Sequence, residues 1–146
     1  MDNESQTLDQ IVISRLQPAT EKRIVSALEE AILMEQQLTG STLKYVISVI
    51  PHQIVARALD LKVASLGALC QRKFLSRIYS GHISDLTALW SEMNEIFMED
   101  QPLLTEWLNS KLPALNGHTP QDLITTLAGR KTLREVLNRF RHGDMS

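Results

Sequence analysis

The chain has 146 residues, of which 43% are hydrophobic and 22% charged, with a net charge of −2. That size and mixture fit one domain, or one small domain with a helical appendage, and exclude a disordered or collagen-like chain. The one cysteine, Cys70, excludes an internal disulfide, the longest apolar run (Ala31 to Met34) is too short for a membrane span, and Met1 to Arg15 carry acids rather than a signal-peptide pattern, so the expectation is a cytoplasmic protein with no membrane contact.

Residues 1–19 are set apart as an N-terminal segment. Thr20 can cap a helix to about Leu38, with Ile24, Leu28, Ala31, Ile32 and Leu38 at helical spacing and Gly40 as terminator. Ser41 opens a short helix that stops before Pro51, because the residue preceding proline disfavours helical dihedrals. Pro51 to Leu59 is a further helix, Asp60-Leu61-Lys62 a turn, and Val63 to Tyr79 a segment closed by Gly81. Ser84 is the expected cap of a helix to about Met98, with Leu86, Leu89, Trp90, Met93 and Phe97 on one stripe. Pro102 starts a short helix through Trp107 and Leu108, and Pro113 marks the following loop. Thr119-Pro120-Gln121-Asp122 combines a hydroxyl cap, a proline at the first helical position and an acid three residues after the cap. Arg130 to His142 is the clearest amphipathic helix, with Leu133, Val136, Leu137 and Phe140 inward and Gly143 closing it. No segment alternates as a strand would, so the predicted fold class is all-α, with a helical region over 20–100 and a small helical domain over 101–146.

Charge is unevenly distributed. Residues 1–40 hold seven acids and three bases; residues 41–83 hold Lys44, Arg57, Lys62, Arg72, Lys73 and Arg77 against Asp60 alone. Residues 84–110 hold six acids and no base, and residues 111–146 return to +3. Such alternation can place a basic surface on an acidic protein, although solvated helix faces give the same pattern.

Chemistry-bearing motifs are scarce. No two of His52, His82, His118 and His142 stand three to five residues apart, and no Gly-rich phosphate loop or nucleophile elbow occurs. Cys70 in an apolar helix reads as a small buried hydrophobe. Glu92, Glu95 and Glu99 share a helical face, which reads as a solvated acidic surface more readily than as a ligand cluster. The residues therefore predict neither an enzyme nor a bound cofactor or metal.

The last forty residues are the most patterned. Trp107-Leu108-Asn109 is followed by Leu115, Gly117, Thr119, Pro120, Leu123 and Ile124, then Thr126 and Gly129, then a helix through Arg134, Arg139, Phe140, Arg141, His142 and Gly143. Gly117 before the Thr-Pro start allows a tight turn, and two short helices can then pack Leu123, Leu127, Leu133 and Leu137 against Trp107. Arg130, Lys131, Arg134, Arg139 and Arg141 would form a cationic outer face on the last helix, either simply as a favourable arrangement near a helix C-terminus or as a clamp on a carboxylate-bearing partner.

This stretch resembles the toxin-binding domain of MbcA/ParS/Xre-type antitoxins, which run as W-L, a spacer, L-x-G-x-x-P-x-x-L-L, a T-x-x-G turn and a helix ending L-x-R-x-x-x-G. The resemblance covers residues 104–146. Asn116 stands where the family often has a second glycine, and His118 and Gln121 replace commoner residues. It implies the antitoxin of a toxin–antitoxin pair whose partner is an NAD-consuming toxin of the RES type. By that analogy Arg130, Arg134, Arg139, Arg141, His142, Gly143, Asp144, Met145 and Ser146 contact the toxin, the end of the chain covering its nucleotide cleft.

Relatives often carry a DNA-binding helix-turn-helix ahead of this domain and repress their own operon. Here Phe74-Leu75-Ser76-Arg77 lies where the family has a T-L-x-R recognition segment, with Gly81-His82-Ile83-Ser84 as its continuation. A rival register makes Pro51–Leu59 the first helix and Val63–Lys73 the second, with Asp60 at a turn position that usually wants glycine. Either register places Lys62, Arg72, Lys73 and Arg77 toward operator DNA, and a homodimer would follow. The alternatives are a stand-alone helix-turn-helix regulator and a protein-interaction adaptor without a toxin.

Overall fold

The computed structural model describes residues 7–17, 27–33 and 35–143, and all regular structure among them is helical. The predicted cap Thr20 and core residue Ile24 lie outside the described residues. Two compact units divide the chain, Met1–Ala88 and Leu89–Ser146.

In the first unit, α1 (Leu8–Leu16) occupies the segment in which no element was expected. A capping box starts it: the Thr7 hydroxyl accepts from the Gln10 N–H at 3.2 Å while the Gln10 side chain accepts from the Thr7 N–H at 2.9 Å. Leu8, Ile11, Val12 and Leu16 follow at helical spacing, and all are buried. The polar side of α1 is anchored as well, since Asp9 accepts from the Thr39 N–H at 3.0 Å and Arg15 donates to the Ser84 carbonyl at 2.9 Å.

α2 (Ala27–Leu33) is shorter than the predicted helix to Leu38, and three members of its expected core stripe, Leu28, Ala31 and Ile32, are exposed. Leu38 is buried in a non-helical connection instead. Its N–H donates to the Ser80 hydroxyl and its carbonyl accepts from the Leu75 N–H, both at 2.8 Å, so tertiary partners take the backbone groups that a helix would have used. Gly40, expected as a terminator, is the first residue of α3 (Gly40–Val49), which Thr39 caps through the Thr42 N–H.

α4 (His52–Ala58) follows Pro51 as predicted. The chain then turns through Asp60, a non-glycine residue at φ 57°, into a 3-10 turn at Val63–Ser65 and α5 (Leu66–Cys70). Ile54, Val55, Leu59, Leu66 and Leu69 are buried along this helix–turn–helix succession.

α6 (Arg77–Ile96) corrects two sequence expectations, because it runs straight through Gly81 and Ser84. Neither Gly81 as a stop nor Ser84 as a cap holds. Ser84 is buried and receives a 3.1 Å hydrogen bond from Arg15 on its hydroxyl, so the side chain that could have capped a new helix is satisfied by a tertiary donor. Ile83 and Leu86 belong to the first unit's core.

In the second unit, buried Leu89, Trp90 and Met93 lie on the latter part of α6. Met98 and Glu99, at φ 53° and 60°, turn the chain, and Asp100 caps α7 (Gln101–Leu108) through the Leu103 N–H at 3.1 Å. A 3-10 turn at Pro113–Leu115 leads to α8 (Pro120–Leu123) and α9 (Leu127–Arg141). Leu104, Leu108, Leu115, Ile124, Leu133, Val136 and Leu137 complete this core, each such side chain contributing roughly 1.5–3 kcal/mol by leaving water.

Candidate functional site

The second unit's surface is shaped by two corners. At the first, Leu115 is buried, and Asn116 and Gly117 both take left-handed backbone, at φ 58° and 82°. Asparagine is among the few non-glycine residues that tolerate this region, which accounts for its presence where a second glycine is common. Thr119 then starts α8 with the predicted capping box, its hydroxyl accepting from the Asp122 N–H at 3.2 Å. Pro120 is buried at the first helical position.

The second corner joins α8 to α9. The Thr126 hydroxyl accepts from the Gly129 N–H at 2.9 Å and caps α9. Gly129 is so close to the Leu123 carbonyl that a β-carbon there would overlap it. One residue on, Arg130 is fully buried, and its Nη1 donates to the Ile124 carbonyl at 3.0 Å, satisfying the oxygen that α8 leaves at its C-cap. Arg130 is therefore not on the outer cationic face where the sequence pattern put it. Helical geometry accounts for this, since Arg130 shares the inward arc of α9 with Leu133 and Leu137.

Trp107 sits between two rings rather than in the leucine set expected for it. Phe97 lies 5.2 Å away, tilted at 46°, and Phe140 lies 6.2 Å away, edge-on at 68°. Leu127, predicted inward, is 61% exposed, and Ile124 is buried in the core instead.

The remaining cations of α9 divide into two sets. Arg134 Nε is 3.4 Å from Glu92 Oε2, and Arg141 Nη2 is 3.7 Å from Glu95 Oε2. The acidic row of α6 is thus engaged by arginines, a pairing between distant segments that no local sequence pattern revealed. Lys131, Arg139 and His142 are exposed, and Gly143 ends the helix at φ 77°. Asp144, Met145 and Ser146 lie outside the described residues.

In the first unit, Lys62, Arg72, Lys73 and Arg77 are all exposed. The rival register describes these elements better, with α4 as the first helix and the 3-10 turn plus α5 as the second. In the other register, Phe74 to Ser76 of the Phe74-Leu75-Ser76-Arg77 segment are not helical, and Arg77 opens α6. Among the described residues, no three His, Cys, Asp or Glu side chains group as metal ligands, and no helix is long and apolar enough to cross a membrane.

Residues 94–143 match the family model for the antitoxin Xre/MbcA/ParS C-terminal toxin-binding domain. This part of the chain is a toxin-binding domain of that antitoxin family. The match begins near the end of α6, takes in both corners and α9, and ends on Gly143. No curated protein and no solved structure matches the chain. The antitoxin domain accordingly contains the aromatic triplet around Trp107, the Thr119 capping box, the Gly129 corner and the divided cationic helix; its partner is a toxin protein.

Proposed function

We propose that this antitoxin neutralises an NAD-consuming toxin of the RES type by covering the toxin's nucleotide cleft, without chemistry of its own. The observation that carries this reading is the toxin-binding-domain match, which ends one residue past the C-cap of a cationic helix. Arg139, Arg141, His142 and Gly143, with Asp144, Met145 and Ser146 after them, are the proposed inhibitory end, and Arg134 contributes from the preceding turns. Guanidinium forks suit the carboxylates that would line a partner's cleft. Occlusion needs tight occupation and not a reactive group, in keeping with the lack of a catalytic motif.

The same reading assigns DNA contact and autoregulation to the helical region over 20–100, as a homodimer, with toxin contact over 101–146. Support comes from the four exposed cations Lys62, Arg72, Lys73 and Arg77 beside the helix–turn–helix succession.

Co-expression with the neighbouring gene tests the antitoxin reading: the neighbour alone should arrest growth, and this chain should rescue it and co-purify. A truncation ending at Arg141 is the sharper variant. It removes His142 to Ser146 from the proposed inhibitory end and keeps Arg139 and Arg141, together with Val136 and Leu137, which the core requires. Loss of rescue with a normal melting temperature is the expected result, and full rescue by the truncated chain would overturn occlusion by the tail.

A further inference from the structure

The connection between α5 and α6 has a composition that neither core packing nor toxin binding explains. Within residues 72–78, Arg72, Lys73 and Arg77 are exposed, and so are two large apolar side chains, Phe74 at 49% and Ile78 at 72%. Residues 61–84 contain no acid, so nothing on this segment neutralises those cations. The Lys73 ammonium lies 5.7 Å from the centre of the Phe74 ring, so charge and aromatic surface are presented together.

The backbone of this connection is fastened on both sides. The Arg72 carbonyl accepts from the Gly40 N–H at 3.1 Å, the Leu75 N–H donates to the Leu38 carbonyl at 2.8 Å, and the Gln37 amide donates to the Leu75 carbonyl at 2.9 Å. Leu75 between the exposed positions is fully buried, and the Ser76 hydroxyl accepts from the Tyr79 N–H at 3.1 Å at the start of α6. Phe74 and Ile78 are therefore held outward on a fixed frame.

We propose that this connection is a wedge for duplex DNA, in which Phe74, assisted by Ile78, enters between base steps while Arg72, Lys73 and Arg77 hold the flanking phosphates. Apolar wedges flanked by cations unstack a step and kink the duplex, and the phosphate contacts offset the unstacking. The charge favours this occupant over an apolar protein surface, since three cations without an acid would have to be desolvated against such a partner. The position favours it too, because the segment directly follows the second helix of the helix–turn–helix succession. The inference rests on the proposed DNA binding and adds a mode of contact to it.

The test uses the full-length chain, the duplex upstream of its own reading frame, and a scrambled duplex of equal length. Phe74→Ala should weaken binding about tenfold, the scale of a lost ring–base contact, and abolish the bend read by energy transfer between duplex ends. The dependence of affinity on salt should stay unchanged in that variant. Arg72→Ala or Lys73→Ala should instead lower the salt slope by about one each. Phe74→Trp should keep binding, and its fluorescence should be quenched by the duplex, a readout that loss of folding cannot imitate.

If the wild-type protein shifts neither duplex, the DNA reading fails and the wedge with it. If it shifts DNA but Phe74→Ala binds and bends equally well, the wedge alone is overturned. Conversion of a dimer to a monomer by Phe74→Ala, or Phe74-dependent binding to anionic vesicles in place of DNA, would overturn it as well.

Discussion

Arg134 on α9 reaches Glu92 on α6 at 3.4 Å, and two turns further along α9 Arg141 repeats the pairing with Glu95 at 3.7 Å. Two of the cations proposed to meet a toxin, Arg134 and Arg141, are thus already matched to carboxylates of their own domain. Binding through Arg134 or Arg141 must exchange one carboxylate for another, a near-balanced step, whereas binding through Lys131 or Arg139 has no such competition from these two pairs. The toxin interface should therefore lean on Lys131 and Arg139 more heavily than charge counting suggests.

The pairs themselves should add little to stability. All four side chains are between 31% and 51% exposed, and ion pairs at that exposure contribute about 0–1 kcal/mol. Glu92→Gln and Glu95→Gln should each lower the unfolding free energy obtained from urea titration by that amount or less, with the effect fading in high salt. A loss above about 2 kcal/mol would mean the pairs are far better desolvated than this geometry implies.

Arg130 behaves oppositely. Its guanidinium is fully buried against the Ile124 carbonyl, so Arg130→Ala leaves an unpaired acceptor and a cavity in the core. The expected loss is about 2–4 kcal/mol, against less than about 0.5 kcal/mol for Lys131→Ala one position away. Chemical denaturation of the two variants side by side decides this; equal, small losses would contradict the buried role.

The contrast between Arg130 and Lys131 shows where sequence reading stops. Periodicity located α7, α8 and α9 closely because proline, hydroxyl caps and apolar spacing are local signals, and Thr119, Pro120 and Gly117 were legible for that reason. Arg130 was misplaced because a buried arginine breaks the rule that charge marks the outer face, and only the tertiary position of Ile124 reveals its partner. Gly81 and Ser84 misled for a related reason. Glycine and serine signal breaks only when nothing else satisfies them, and Arg15, far off in sequence, supplies what Ser84 needs. Glu92 and Glu95 were read as solvated because their partners lie some forty residues on.

Gly129 and Gly67 form a matched pair for measuring close approach against chain entropy. A β-carbon at Gly129 would overlap the Leu123 carbonyl, while Gly67 in α5 has open space around it. Gly129→Ala should therefore cost more than about 2 kcal/mol as the α8–α9 corner opens. Gly67→Ala should instead stabilise by about 0.5–1 kcal/mol, since alanine restricts the unfolded chain and suits a helix. Thermal melts of both variants check the pair, and toxin capture should fall with Gly129→Ala alone.

Burial displaces the titration of Cys70. Burial raises its thiol above the ordinary value of 9.0, with nearby Lys44 pulling weakly the other way. Because the folded-state value is the higher one, the folded protein holds the proton more tightly. That preference has no effect on stability below pH 9 and reduces it as pH rises past the unfolded thiol's titration. At neutral pH the group is a thiol and a poor nucleophile. Iodoacetamide should modify it more slowly than it modifies a free cysteine at the same pH, with the rate rising on denaturation; prompt labelling of the native chain would contradict the burial.

The turn between α4 and α5 supplies the last expectation. Asp60 holds φ 57°, a region that disfavours a side chain by roughly 1–2 kcal/mol unless it is short and polar. Aspartate manages this with local hydrogen-bonding capacity, so the absence of glycine did not prevent the turn. Asp60→Gly should leave stability within about 0.5 kcal/mol, relief of strain being offset by the added freedom of the unfolded chain. Asp60→Val should cost about 1–2 kcal/mol, because a branched β-carbon crowds the left-handed conformation. Since Asp60 is the only acid in the basic block, Asp60→Gly should also strengthen any duplex binding at low salt, and Asp60→Asn should reproduce that gain without touching the backbone. A gain in Asp60→Gly that Asp60→Asn lacks would assign the effect to turn geometry and not to charge.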